Sequence, residues 1–498
     1  MMSHMKTVWV LGDQLNRRIG ALDGVTPDTA RVLLVESDAM ISGRRFHRQR
    51  IHYVLTSMRR FALQLRRSGF DVDLRQAPTL RAGLLGHVDE FNPPAVTATE
   101  PNSRAVETLL GALDVELAPS NQFLCHRDEF ARWAGDRTRL RLEDFYRWQR
   151  RRLGYLMDDG EPAGGSWNFD HDNREPPPRD GGSWPRPVSS RLDALDLEVI
   201  DSLPNDAPGD DPVGWWATSR RGALARLRHF IDDVLPLFGP HEDAMVESSW
   251  HLAHSLLSPY LNLGLLLPTE VCDRVEDAYR AGRVPINSAE GVIRQIIGWR
   301  EFVWGVYWLW PDQYDANTLE HARALPPSWT GEATTAMRCV ATALDGIRRR
   351  AWVHHIQRLM VLSNFANLYG IEPARVRDWM RDNFVDGANW VMGPNVMGMG
   401  LWADGGRMST KPYVSGGAYI NRMSDHCANC AFDPTKRTGD DACPFTTLYW
   451  EFLDRHRDTL QSNARMARQY STLDRLGDLP QVHARAGEVA AAIAEGRL

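Results

Sequence analysis

Hydrophobic residues change their spacing once along this chain, and the change divides it. Residues 7–11 (TVWVL) and 31–35 (RVLLV) are short apolar runs rich in β-branched side chains, each followed at once by acidic and turn residues. Unbroken runs of this length predict strands covered on both faces, as in a parallel sheet. Between the second run and a third near 70–74, Val54, Leu55, Met58, Phe61, Ala62 and Leu65 recur at helical spacing until Gly69, which makes a βαβ unit. A strand at 95–99 and a helix near 105–113 continue the alternation. The expected fold of this part is a doubly wound α/β domain.

Between 158 and 211 the pattern stops: Gly164-Gly165, Pro176-Pro177-Pro178, Gly181-Gly182 and further prolines exclude long elements. Beyond Trp215 the helical period takes over, and 223–237, 268–281, 289–310, 352–368 and 373–384 read as helices with almost no strand signal between them. The expected plan is an α/β domain over 1–132, a long linker over 133–235 and an all-α domain over 236–498. No internal repeat at solenoid periods is visible.

Composition narrows the classes. With 498 residues, 43% hydrophobic and 24% charged, the chain has core for two or three domains and is neither disordered nor collagenous. Lys+Arg 58 against Asp+Glu 64 gives a net charge of −6, so any nucleic-acid contact has to come from a local basic face. Lysine stands only at Lys6, Lys411 and Lys436, an arginine bias that reflects coding composition more than phosphate contact. The best apolar stretch, 296–310, is interrupted by Arg300 and Glu301, so no membrane span is expected. The opening 1–7 has no charged segment followed by an apolar one, which points to a reducing cytoplasm rather than secretion.

In that compartment six cysteines argue for a metal or redox role before disulfides. Cys427-Ala428-Asn429-Cys430 is followed by Cys443-Pro444, with Cys339 far upstream. Two residues between thiolates let both sulfurs face one centre, and a Cys-Pro after such a group occurs in iron–sulfur runs. Four sulfurs suit zinc equally well, so spacing leaves both metals open. Cys125 and Cys272 are solitary and read as buried free thiols.

Three further patterns stand out. His354-His355 lie on the expected helix 352–368 with Arg358 on the face of His354; adjacent side chains diverge by about 100°, so one of the pair at most faces a given pocket squarely. Taken alone, such a pair is more often a packed or surface feature than a catalytic one. Phe384 to Asn395 (FVDGANWVMGPN), continuing through Gly398, Gly400 and Gly405-Gly406 to Lys411-Pro412-Tyr413, has the glycine density of backbone laid against a flat ligand, with a coiled surface loop as the plainer reading. Arg137, Arg139, Arg141, Arg147, Arg150, Arg151 and Arg152 interleave with Phe145, Tyr146 and Trp148, which suits phosphate contact with stacking or a solvated helix face.

Together these residues resemble the photolyase and cryptochrome flavoproteins, specifically the iron–sulfur bacterial branch that includes prokaryotic (6-4) photolyases. The likeness runs nearly end to end: Leu11-Gly12-Asp13-Gln14-Leu15, Glu36, Phe145-Tyr146-Arg147, Gly164-Gly165-Ser166-Trp167-Asn168-Phe169-Asp170, Arg294-Gln295 through Trp299-Arg300-Glu301, and the order Cys339, Cys427, Cys430, Cys443. The resemblance implies a photolyase-type helical domain binding FAD, and a 4Fe-4S cluster on those four cysteines, which decides between iron and zinc. It assigns the flavin to His254, Ser255, Leu256, Leu257 and Ser258, to Gln295, Trp299 and Arg300, and to an Arg358–Asp386 ion pair. Met392 stands where many photolyases place an asparagine facing the flavin's reactive nitrogen, and a thioether cannot donate that hydrogen bond.

His354 and His355 resemble the two histidines of (6-4) photolyases, and Tyr413 a tyrosine near the lesion. Trp329, Trp379 and Tyr419 resemble the aromatic relay that rereduces the flavin. The α/β domain resembles an antenna domain binding 6,7-dimethyl-8-ribityllumazine through Gly12, Asp13, Gln14 and Glu36, at the carboxyl ends of the first two strands where ligands collect. The implied activity is light-driven repair of UV-damaged DNA, reversing (6-4) photoproducts, by a cytoplasmic monomer. A blue-light photoreceptor of the same branch, without repair, would share fold and cofactors. An iron–sulfur nucleic-acid module such as a primase-like domain is a third class, distinguished by having no flavin band.

Overall fold

The computed structural model describes residues 5–137 and 139–498; residues 1–4 of the opening stretch considered for export lie outside them. Five strands, β1 (Lys6–Trp9), β2 (Ala30–Ser37), β3 (Val72–Ala77), β4 (Val96–Thr99) and β5 (Glu116–Ala118), form a parallel sheet in the order β3-β2-β1-β4-β5. Val8 pairs with Val32 and Trp9 with Leu33 at its centre, and all four are buried, which is why the central strands read as unbroken apolar runs. The three-residue β5 has no such run and was not expected from the sequence. Helices Arg48–Arg67, Leu80–Phe91 and Arg104–Gly111 complete the crossovers. The strand order reverses between β1 and β4, which puts a crevice at their carboxyl ends.

The segment 133–235 is more structured than a linker. Helix Leu142–Leu153 opens on Glu143 and Asp144 and closes on Arg150, Arg151 and Arg152 before a left-handed Gly154, so its charges oppose the helix dipole at both ends and the glycine permits the turn. It packs into the helical half, where the Tyr146 hydroxyl donates to Glu290 Oε1 at 2.8 Å. Helices Ala194–Asp201 and Arg220–His229 follow. One apolar core runs without a break from Val8, Leu34 and Phe61 of the α/β domain into Leu227, Phe238 and Val292 of the helical half, while each part also has a core of its own, around Trp9 and Leu33 in the first and around Phe365 and Phe452 in the second.

The basic stretch divides: Arg137, Arg139, Arg141 and Arg151 stay exposed, while others are committed within the protein. Arg150 is fully buried and donates to the carbonyls of Tyr155, Leu156 and Trp167, Arg147 pairs with Glu143, and Arg152 pairs with Glu129. Arg150→Met is expected to strand these three carbonyls and lower stability by about 3 kcal/mol, measured as a fall in the urea midpoint at unchanged slope. A midpoint equal to that of the parent would show the carbonyls to be satisfied otherwise.

Besides the π-turn Phe230–Val234 that joins Arg220–His229 to Leu235–Phe238, three rods of the helical half each contain a π-helical turn: Arg294–Arg300 between Ile286–Ile293 and Glu301–Leu309, Gln357–Ser363 before Asn364–Tyr369, and Gly393–Gly400 after Asn389–Met392. The expected helix 352–368 begins only at His355. Ala351 adopts φ 52°, ends helix Arg338–Arg350 and reverses the chain, a left-handed turn that no glycine announced. The glycine-rich stretch beyond Phe384 is no surface loop: Gly393, Pro394, Val396, Met397 and Gly398 are buried in the third rod's π-turn.

Candidate functional site

The π-turns of the three rods face a single cavity of about 980 Å³, lined by Arg294, Gln295, Trp299 and Arg300 from the first, Arg358 and Ser363 from the second, and Asn395 and Val396 from the third. An extra residue per turn re-aims side chains that a regular helix would send elsewhere, a recurrent device at functional sites. The segment His254 to Ser258, together with His355, Asp386, Met392, Tyr413 and Tyr419, completes the walls used below. The size suits a ligand larger than a typical single metabolite.

At one wall the Arg358 guanidinium grips Asp386 bidentately, with Nη1 to Oδ1 at 2.9 Å and Nη2 to Oδ2 at 3.2 Å. Its Nε donates to Val353 O at 2.8 Å and its plane lies 4.1 Å over the Phe384 ring. Asp386 also accepts from Ser258 Oγ at 2.6 Å, and its carbonyl from Asn262 Nδ2 at 2.9 Å. Ser258 is therefore committed to this carboxylate and has no hydroxyl hydrogen left for a phosphate. Leu256 adopts φ 54°, which folds 254–258 sharply, and Ser255 Oγ accepts from Leu257 N at 3.4 Å. Helix Ser258–Asn262 has five residues, too few to make its start an anion site.

The anion-seeking group is instead Arg300. Its Nη1 donates to the buried Glu301 at 2.9 Å and the guanidinium lies 4.0 Å over Phe123, while Nε and Nη2 are buried with no partner among the described residues. Burial pushes the Glu301 carboxyl up to about 7, against the pull of Arg300. Donors left unmade inside a protein are costly, so a guanidinium presenting two of them at a cavity wall fits a diphosphate. Gln295 Nε2 donates to Glu242 Oε1 at 2.8 Å, and Trp299 supplies apolar wall.

The histidines divide as their divergence requires. His355 faces the cavity and its Nε2 stands 3.6 Å from Asp243 Oδ1; the ring's 47% exposure is to the cavity rather than to bulk water. Burial opposes its charge, but Asp243 and Glu242 overrule burial and hold His355 above its ordinary 6.5. Glu242 itself is pushed by burial up to about 7, against His355 and Arg294. His354 is buried off the cavity wall and stacks on His254 at 4.6 Å and 14°, with His355 edge-on to His254 at 5.3 Å. Burial and the neighbouring cations push both His254 and His354 well below 6.5. The arrangement favours protonation of His355 and disfavours it at the two rings beside it. His254, assigned from the sequence to a phosphate-contacting segment, belongs to this cluster; Asp243 and Glu242 were missed, since no short motif joins 242–243 to 355.

Tyr413 lies half-exposed at the cavity edge near Lys411. Trp379 and Trp329 touch at 4.5 Å, with Trp379 Nε1 donating to Trp329 O at 3.0 Å. Neither lines the cavity; Phe384, 6.3 Å from Trp379, stands between it and Arg358. Tyr419 lines the cavity itself, apart from the tryptophan pair.

Cys339, Cys427, Cys430 and Cys443 line one further small cavity. Cys339 is in the first turn of helix Arg338–Arg350, and Cys443 caps helix Pro444–Arg455, whose first residue is proline. Helix starts favour thiolates. The turn His426–Asn429 brings in the other two. Burial and mutual repulsion raise the thiols of Cys339 and Cys427, the latter up to about 12, a penalty that a cationic centre would remove. A Cβ on Gly417 would come within 2.9 Å of Cys443 Sγ, so glycine leaves room there. Cys125 and Cys272 are buried elsewhere as free thiols.

At the sheet's carboxyl edge, Asp13 accepts from Asn102 Nδ2 at 3.0 Å, and Gln14 Nε2 donates to Glu100 O at 2.8 Å. Gln14 Oε1, Asn102 Oδ1, Tyr53 OH and Ser57 Oγ are buried without partners among the described residues. Glu36 is gripped by Arg59 at 2.8 and 2.9 Å, and Gly12 packs on Met58.

Residues 8–210 match the family described as deoxyribodipyrimidine photo-lyase-related protein. Over 489 residues the chain is 42% identical to the (6-4) photolyase of Agrobacterium fabrum, covering 95% of this chain and 96% of that one. A shorter relative, uncharacterized protein R855 of Acanthamoeba polyphaga mimivirus, is 33% identical over 107 residues, 22% of this chain and 80% of that one. A bacterial class III photolyase from Agrobacterium tumefaciens superposes with a TM-score of 0.55 at 17% identity over 99% of both chains. The cryptochrome of Synechocystis sp. PCC6803 does so with 0.53 at 15%, over 80% of this chain and 82% of that one. At these identities the two structures show likeness of fold.

Proposed function

The chain belongs to the (6-4) photolyase family, and from that premise we propose that it is a light-driven lyase that reverses (6-4) pyrimidine photoproducts in DNA. The observation that carries the reading is His355, a cavity-facing imidazole 3.6 Å from Asp243 whose protonation Asp243 and Glu242 favour, beside the Arg358–Asp386 pair. FAD fits the cavity, with Arg300 as diphosphate partner, Arg358 and Asp386 at the ring, and Gln295, Trp299, Ser255, Leu257 and Met392 as walls. When bound and reduced, FAD supplies the electron that blue light drives into the lesion.

His355 then donates a proton to the oxygen moving between the two pyrimidines and takes one back from water at the open cavity, a reprotonation that the neighbouring Asp243 and Glu242 favour. The neutral His354 and His254 keep the cation on His355 alone. Tyr413 and Lys411 meet the extruded nucleotides at the cavity edge; a lesion inside a duplex has to be flipped out to reach such a site. Trp379 and Trp329 carry electrons inward across Phe384, with Tyr419 a separate donor at the wall. The four cysteines hold a 4Fe-4S cluster that is structural. Asp13, Gln14 and their unpartnered neighbours suit the lumazine antenna; Glu36 contributes only if Arg59 releases it. The working site is that of a soluble, cytoplasmic monomer.

The test is blue-light illumination of the reduced protein on a (6-4)-containing single-stranded oligonucleotide, with restored pyrimidines followed by chromatography. A protein with full flavin and cluster that restores none would favour the photoreceptor reading, to which the non-donating Met392 at the cavity wall lends support. Because His355 is protonated below its raised pKa, repair is expected to fall as pH rises through a value above 6.5. Asp243→Asn removes a group that raises it, so this alkaline limb should move to lower pH. A limb that stays put in rate–pH profiles at fixed light dose would remove the His355–Asp243 pair from the proton step.

A further inference from the structure

Four consecutive residues of the α/β domain, His47-Arg48-Gln49-Arg50, enter the helical half as a plug. The His47 main-chain N–H donates to Asp382 O at 2.9 Å. His47 Nδ1 accepts from Gln49 N, so Nε2 carries the hydrogen and donates to Arg348 O at 3.1 Å. Gln49 Nε2 donates to Arg349 O at 3.2 Å. Arg50 Nη1 lies against Arg381 O at 2.8 Å, Phe384 O at 3.0 Å and Gly387 O. A Cβ on Gly387 would come within 2.6 Å of that nitrogen, so glycine is what lets the guanidinium approach.

The acceptors share an origin. Most are carbonyls at the carboxyl ends of helices Arg338–Arg350 and Pro373–Asn383, groups that a helix leaves without internal partners. Burial lowers the Arg50 pKa to about 10, which leaves it cationic at neutral pH, and a cation belongs at the negative end of a helix. Directly beyond the first helix end the chain runs into His354 and His355; directly beyond the second it runs into Asp386. Val385 N donates to Ala351 O at 2.8 Å and joins the two exits.

We infer that His47, Gln49 and Arg50 are positioning residues for the flavin site: by capping these two helices, the α/β domain sets where Asp386 and the histidines stand. The inference rests on the flavin reading of the cavity. None of the three residues touches the cavity; they act through Phe384, Gly387 and the helix ends. The α/β domain thereby has a second task besides any antenna it carries, since flavin retention depends on its helix Arg48–Arg67.

The test uses the full chain, with FAD titrated into deflavinated protein and the cluster followed by its visible absorbance. Arg50→Met is expected to weaken FAD binding by about tenfold or more, the scale of losing hydrogen bonds from a charged donor, while cluster absorbance is retained. Arg50→Lys should recover most of the affinity, because an ammonium offers three donors to the same carbonyls. General destabilisation would instead lower the urea midpoint and strip cluster and flavin together, without rescue by lysine. Wild-type FAD affinity in Arg50→Met overturns the inference. If Arg50→Met is insoluble, amide exchange over 384–392 in Arg50→Gln, whose shorter neutral side chain cannot span the Arg381, Phe384 and Gly387 carbonyls, decides: faster exchange than in Arg50→Lys and the parent supports the plug, and unchanged exchange overturns it. A parent protein that takes up no FAD would refute the cavity assignment itself, and the exchange comparison would still judge the plug.

Discussion

His355→Ala is expected to keep its flavin and lose repair by about 10²–10⁴, the range that a positioned acid contributes. Flavin retention follows from the geometry, because Arg300 and the Arg358–Asp386 pair make no hydrogen bond to the His355 ring. The loss follows because His355 is the imidazole that both faces the cavity and has its protonation favoured by neighbouring carboxylates. His354→Ala should cost less, since that ring is neutral, buried and stacked on His254; its part is to keep the cluster packed. The measurement is single-turnover repair at saturating light, with flavin content scaled by absorbance. Parent-like turnover in His355→Ala would end the acid role, and a greater loss in His354→Ala would exchange the two assignments.

Cys430→Ala should fail more broadly, giving insoluble protein or soluble protein without the cluster's visible band. Four thiols converge on one small cavity, and an open coordination position exposes the centre while three buried sulfurs remain. The binding free energy of such a centre is also folding free energy, on the order of 10 kcal/mol for structural metal sites, so the C-terminal core that includes Cys339 and Cys443 is expected to loosen with it. Cys125→Ala is the control: it removes a buried thiol that does not line the four-cysteine cavity and should leave a brown, soluble protein. Soluble Cys430→Ala protein with an undiminished cluster band would refute the ligand set.

Much of this was visible in the residues, for reasons that can be stated. Buried strands such as β2 advertise themselves by unbroken Val and Leu, and CxxC with a following Cys-Pro by spacing, because both are local constraints. The Arg358–Asp386 and His354–His355 assignments came through family resemblance rather than periodicity. What stayed hidden was produced by long-range packing or by backbone geometry that composition does not encode. The π-turn at Arg294–Arg300 looks like any apolar helix in sequence, yet it turns Gln295 and Arg300 to the cavity. Ala351 gives no sign of its left-handed turn, so the helix was expected to begin before His354 rather than after it. Arginine density at 137–152 left a phosphate-contacting face and a solvated helix face open; the fold leaves Arg137, Arg139, Arg141 and Arg151 exposed and shows Arg150 holding three carbonyls indoors.

The cysteine centre has a topological effect beyond its own chemistry. Cys339 and Cys443 bound the stretch that carries His355, Arg358, Trp379, Asp386, Met392, Tyr413 and Tyr419. The proposed cluster, by tying the two ends together, would close a loop of roughly a hundred residues, for which chain-entropy arguments give about 4–5 kcal/mol at room temperature. Oxidative loss of the tie would return that freedom to the segment while leaving the parallel sheet intact. Damage by oxygen should therefore first appear as new protease cleavage between 339 and 443, in molecules whose N-terminal half still resists digestion.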